Sequence, residues 1–278
     1  VTTAWADRTC MELGQSGARY YVCPGTCGWS AFTGRFDTMA FNVRTMAESG
    51  RKYGAHGFLM TDWGCSEERE GHPHHPVQSL LPCALAGQYA WNTGEEQQGA
   101  DRKPAFIAGA KAFVDRRFFG GKPVSEWIYR LWQYYLLEPA RIHSSTMCGS
   151  ILMREPLSVT GEEHVFDLRE LPDTFCFDNI LRYVRDCIAA LEALDVDSRP
   201  MRELLCNARM VVIGAELVRV RRAQSVTRAD AGRIAALIDG VSAEHRALWD
   251  ELNYPRGAQI FLGHLAARRA ELLAMAEE

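Results

Sequence analysis

Arg19-Tyr20-Tyr21-Val22-Cys23-Pro24-Gly25-Thr26 and Gly57-Phe58-Leu59-Met60-Thr61-Asp62-Trp63-Gly64 are the two stretches on which the fold reading turns. Each opens on aromatic or β-branched residues and stops at turn formers or a polar run, the pattern of a short buried strand running into a loop. Between them Met39, Val43, Met46 and Ala47 recur at the spacing of one helical face, with Thr38 as the expected cap and Gly50 and Gly54 as punctuation. Strand, helix, strand is the grammar of a parallel sheet. Residues 2–14 before it and 77–91 after it read as helices. Two parallel strands cannot cover both faces of a sheet, so the reading calls for neighbouring strands.

Working outward, strand signals nearly vanish beyond residue 100. Residues 105–119 and 124–137 read as helices, the second with Trp127, Leu131, Tyr134 and Tyr135 on its apolar side. Pro139, Pro156 and Gly161 break any long element in the stretch that follows. Further helices are marked by Ile180, Val184, Ile188 and Leu191, by Met201, Leu204, Leu205, Ala208, Val211 and Val212, and by Ile234, Leu237, Ile238, Val241, Leu248 and Leu252. Pro255-Arg256-Gly257 separates a last helix. The expected organisation is an α/β region over residues 1–98 and an all-α region over residues 99–278.

Composition narrows the function classes. The 278 residues are 47% hydrophobic and 24% charged, ordinary for a globular chain. A formal net charge of −4, from 31 basic and 35 acidic residues well mixed along the sequence, leaves no footprint for a phosphate backbone. No nucleic acid partner is expected. No apolar run approaches the roughly 20 residues that span a bilayer, so no membrane partner is expected. The nine cysteines, an odd number, are scattered and read as small buried hydrophobes in a reducing, cytoplasmic setting. The sequence opens without Met, directly in helix-like text, as though an N-terminal portion or an export signal had preceded it.

Two loops concentrate the chemistry. Residues 24–35 hold Trp29 and Arg35; residues 61–72 hold Asp62, Trp63 and His72. A Trp ring offers a flat apolar face to the C–H side of a sugar, and a neighbouring Asp accepts hydrogen bonds from its hydroxyls. Tyr20 to Thr26, Trp29, Gly34-Arg35, Asn42, Gly54-Ala55, Gly57, Leu59, Thr61-Asp62-Trp63-Gly64, Gly71-His72 and Ala90-Trp91-Asn92 together resemble the closing strands of bacterial family-20-type β-N-acetylhexosaminidases. The resemblance covers residues 1–95. It implies the last two βα units of a (β/α)8 TIM barrel, followed by a C-terminal helical domain, with both loops at the barrel mouth. It also implies an N-acetylhexosamine-containing glycan as partner, bound by Trp29, Asp62 and Trp63 with Arg35 and His72 as further contacts. No cofactor is implied.

The same resemblance shows what is missing. Those enzymes work by substrate assistance, with an Asp orienting the acetamido group and an adjacent Glu acting as general acid/base. Asp250-Glu251 is the sole adjacent pair in that order, in a helix-like segment, and reads as a solvated helix face. No catalytic residue is therefore assigned: the chain is expected to supply sugar-pocket loops of a glycoside hydrolase without turning substrate over. A non-catalytic carbohydrate-binding or assembly module is the alternative. The exposed strand edges of a partial barrel point to a homo-oligomer or to a missing N-terminal portion.

A third reading comes from the insertion after Gly64. Cys65, His72, His74 and His75, with Glu67, Glu68 and Glu70 nearby, gather metal-ligating groups within eleven residues, as a metal-dependent hydrolase would. The spacing matches no standard zinc pattern, and adjacent His74 and His75 would point to opposite sides of an extended backbone. Cys23 and Cys27 stand near Arg19 and Arg35, the sole nearby groups that would activate a thiol. Trp127, Trp132, Tyr134, Tyr135 and Trp249 read as core or interface packing, and the arginines from Arg219 to Arg233 as a solvated surface.

Overall fold

A computed structural model describes residues 2–63, 71, 74–92, 103–139, 141–157, 168 and 175–276. Helix α1 (Thr3–Gln15) is capped by Thr2, whose side chain accepts the Trp5 N–H. Strand β1 (Tyr21–Val22), helix α2 (Phe36–Lys52) and strand β2 (Gly57–Phe58) follow. Then come α3 (Leu80–Trp91), α4 (Lys103–Phe118), α5 (Val124–Leu131), α6 (Met147–Met153), α7 (Asp178–Glu192), α8 (Arg199–Ala223), α9 (Arg228–Asp250) and α10 (Gln259–Met275). Short 3-10 turns at Pro76–Ser79, Tyr134–Leu137 and Pro255–Ala258 join them.

The barrel expectation is overturned. Among the described residues the sheet has two strands of two residues each, paired in parallel with Tyr21 opposite Gly57 and Val22 opposite Phe58; a single further bridge links Gly25 and Thr61. The chain is mostly helical rather than two βα units of a TIM barrel joined to a helical domain. A barrel strand is buried on both faces, but here α1 and α2 cover one face, with Cys10 and Met46 clustered around Val22, while Tyr21 and Leu59 on the strand segments are 62% and 55% exposed. The Tyr21 ring instead lies over Gly57, where a Cβ would collide with it. Aromatic and β-branched runs signal extended backbone, and that signal was right locally; it carries no count of the strands alongside.

Helix α2 also starts earlier than Thr38 would have it. Phe36 is buried and its N–H donates to the Trp132 carbonyl at 3.0 Å, so tertiary packing sets the first turn and Arg35 occupies the cap without a side-chain bond. Gly54, at φ +79°, ends the following turn in the left-handed region that favours glycine.

The main core runs from Cys27 through α2, α3, α5, α6 and α8 to Leu272 on α10. Helix α8 is its axis. Its buried positions include Met201, Cys206, Met210, Ile213, Leu217 and Val220, and it packs against α6, α7 and α9. A helix apolar on so much of its circumference has to be enclosed by neighbours. Among the described residues, no helix is long and apolar enough to cross a membrane.

Candidate functional site

The loop after β1 folds back on itself. Cys27 and Ser30 adopt positive φ (57° and 52°), and Gly25 donates its N–H to the Asn42 carboxamide oxygen at 3.0 Å. Those turns lay the Trp29 ring against Gly25, with the Arg35 guanidinium 5.8 Å from the ring centroid. Trp29 is packed against the core, and Arg35 is buried near Tyr134, Tyr135 and Glu138. Burial lowers the Arg35 pKa from its ordinary value, opposed by those groups and Cys27. Both residues brace the loop from within. Burial also pushes the Cys27 thiol up to about 11, the reverse of what a reactive thiol needs. Among the described residues all cysteines are free.

The loop after β2 turns outward. Thr26 N–H donates to the Thr61 carbonyl and Thr61 N–H to the Pro24 carbonyl, both at 2.9 Å, which extends the parallel pairing to the base of Asp62. The Asp62 carboxylate accepts one hydrogen bond from Thr26 Oγ1 at 2.7 Å and another from Ser79 Oγ. Each carboxylate oxygen keeps further accepting capacity. Trp63 beside it is 74% exposed.

Asp62 and Trp63 line a cleft of about 450 Å³ with His74, Pro76, Trp249, Asn253, Tyr254 and Gly257. The far wall is the turn from α9 to α10. There Trp249 Nε1 donates to the Tyr254 carbonyl at 2.8 Å, and Gly257 leaves room for the Trp249 ring, which a Cβ would strike. Tyr254 is 87% exposed. The cleft thus combines three aromatic side chains with a carboxylate, an amide and an imidazole. A larger groove of about 580 Å³ beside α3 and α4 is apolar, lined by Leu80, Trp91, Phe113 and Phe118, and contains none of the five expected sugar contacts.

Of the five expected sugar contacts, Asp62 and Trp63 meet in the cleft, Trp29 and Arg35 face the interior, and His72 lies outside the described residues together with Cys65. Of the insertion's proposed ligands, Cys65, Glu67, Glu68, Glu70 and His72 lie outside the described residues, and the two described ones face different ways. His75 has extended backbone, so His74 lines the cleft while His75 turns into the core. Burial holds the His75 imidazole down at about 4, with the neighbouring His74 and Arg199 acting the same way. Asp250 faces Arg246 at 3.7 Å and Glu251 accepts from Arg202 at 3.2 Å, so that adjacent acid pair forms surface ion pairs. Trp249, Asn253 and Tyr254 were missed as site residues. Aromatics and Asn clustered at a helix end before Pro255 and Gly257 were the signal; nothing local linked them to Asp62.

No protein-family model matches the chain, and neither does any curated protein or solved structure.

Proposed function

We propose that the cleft between the end of β2 and the α9–α10 turn binds carbohydrate, and that its ligand is a terminal N-acetylhexosamine of a glycan. One observation carries the reading: Asp62 and Trp63 share a cleft with Trp249, Tyr254 and Asn253, residues nearly 190 positions away. Exposed aromatic faces beside polar acceptors are what a pyranose needs, since its C–H faces stack while its hydroxyls and acetamido group hydrogen-bond. The volume falls within the range of about 300–1,000 Å³ usual for small-molecule sites. The choice of N-acetylhexosamine rests on the resemblance of residues 1–95 to β-N-acetylhexosaminidases.

Binding is favoured over hydrolysis. Glycosidases use two carboxylates, or one carboxylate pair that positions and protonates an acetamido-bearing substrate. Among the described cleft residues Asp62 is the single carboxylate. The site is therefore a receptor for the sugar.

The test is calorimetric titration of the chain with N,N′-diacetylchitobiose, with cellobiose as a control lacking the acetamido groups. Saturable binding to the acetylated disaccharide, weaker for cellobiose, is expected. Trp63→Ala should weaken it about tenfold, a loss of about 1.4 kcal/mol. Absence of binding to either sugar overturns the reading, and unchanged affinity in the variant removes Trp63 from the site.

A further inference from the structure

Behind the inner wall of the cleft lies a second group of side chains. His75 precedes the 3-10 turn, Cys206 sits on α8 and His245 on α9, and all three are fully buried. One ligand atom from each lies within 4.8 Å of the others. His75 Nε2 and His245 Nδ1 are 3.1 Å apart. We infer that His75, Cys206 and His245 form a transition-metal site, and that zinc is the ion their donor set fits.

Two imidazoles and a thiolate make a borderline-to-soft set that suits zinc over calcium or magnesium. Zinc bonds of about 2.0–2.1 Å to nitrogen and 2.3 Å to sulfur place tetrahedral ligand atoms roughly 3.3–3.7 Å apart. The ring nitrogens at 3.1 Å are already close to that spacing, and the group as a whole lies within 4.8 Å. His75 Nδ1 is buried and has no hydrogen-bond partner, and an imidazole can ligate through either ring nitrogen, so Nδ1 as well as Nε2 is available to an ion. The Phe261 ring lies 5.2 Å and the Trp249 ring 6.0 Å from that of His245.

Asn207, next to Cys206 on α8, accepts the His75 backbone N–H at 3.2 Å and so fixes the approach of the 74–79 segment to the helix. The metal ties that segment to α8 and α9 and thereby sets the cleft wall that carries His74 and Trp249. Cys206 binds as the thiolate and gives up its proton to solvent on binding. Because the group is shielded, the ion enters as the chain folds. Among the described residues no fourth His, Cys, Asp or Glu joins the group.

The experiment unfolds the chain in guanidinium with a chelator and refolds it with zinc, with cobalt(II) or without metal. Desalted samples are then measured for metal content and absorption. The expected result is about one zinc per chain, and for cobalt a thiolate charge-transfer band with the intense visible bands of a four-coordinate ion. Cys206→Ala, checked for native circular dichroism, should lose the charge-transfer band and retain at least about tenfold less zinc, as should His245→Gln. Native wild-type protein that retains no zinc overturns the inference, as does a cobalt–thiolate band that survives Cys206→Ala. Should refolding fail, the same measurements on protein produced in zinc- or cobalt-supplemented medium decide between these outcomes. Failure of sugar binding would leave the metal result standing, since the two are read independently.

Discussion

Glu138 is buried, and its two carboxylate oxygens accept the N–H groups of Met147 at 2.8 Å and Cys148 at 3.1 Å, at the start of α6. Burial pushes its carboxyl up to about 7 despite those bonds and the Arg141 charge, which pull it down. In the unfolded chain the group ionises near 4.5, so between 4.5 and 7 the folded chain holds the extra proton. Its contribution to stability is full below that window and is lost as pH rises through 7, by an amount on the order of 3 kcal/mol. Glu138→Gln should remove this slope. Denaturant titrations at pH 5 and pH 8 check it: a wild-type stability, relative to the variant, that does not fall between the two contradicts the assignment. Glu155 and Arg221 present the other kind of buried charge, a 2.6 Å ion pair with both side chains 1% exposed. Glu155→Leu should cost about 3–5 kcal/mol, because it strands the guanidinium inside the core; a loss below about 1 kcal/mol, typical of surface pairs, would show that solvent reaches it.

At the scale of the elements, glycines inside helices separate packing from propensity. Gly214 on α8 faces α6 so closely that a Cβ would come within 2.3 Å of the Cys148 carbonyl oxygen. Gly214→Ala should destabilise the chain by about 1–3 kcal/mol through overpacking, against its favourable helix propensity. Gly240 on α9 is exposed with open space where a Cβ would go. Gly240→Ala should instead stabilise by about 0.5–1 kcal/mol. Thermal melts of the two variants should move in opposite directions. Matching shifts would mean that α6 and α8 are not in the contact described. The same contrast explains why α2 starts at Phe36 rather than after Thr38: a buried ring and a bond to Trp132 outweigh a cap preference worth about 1 kcal/mol.

Over the whole molecule, a continuous core links Phe32 and Phe36 to Trp132, Leu152, Val211 and Phe261. Phe32 and Phe261 touch ring to ring, 5.9 Å between centroids. A chain whose early and late segments share one core should unfold in a single cooperative step. Denaturation followed by tryptophan fluorescence and by far-ultraviolet circular dichroism should give coincident curves. Separate transitions would mean that the regions on either side of residues 98 and 99 unfold independently.

Much of the helical content was legible along the chain, because a 3.6-residue apolar period is a local property: the helix expected at 105–119 lies at Lys103–Phe118, and the apolar positions from Ile180 to Leu248 fall on α7, α8 and α9, while Leu252 lies past the end of α9 and is exposed. That Asp62 and Trp63 stand together at one cleft was legible too, since an acid and an indole directly after an extended run leave the sheet together. How many strands stand beside β1 and β2 was not legible, because strand pairing is a long-range event that the run of side chains does not encode. Nor was the inward turn of Trp29 and Arg35, which depends on left-handed backbone at Cys27 and Ser30. The far wall of the cleft and the meeting of His75, Cys206 and His245 join residues 130 to nearly 190 positions apart, and such encounters follow from how helices pack around α8.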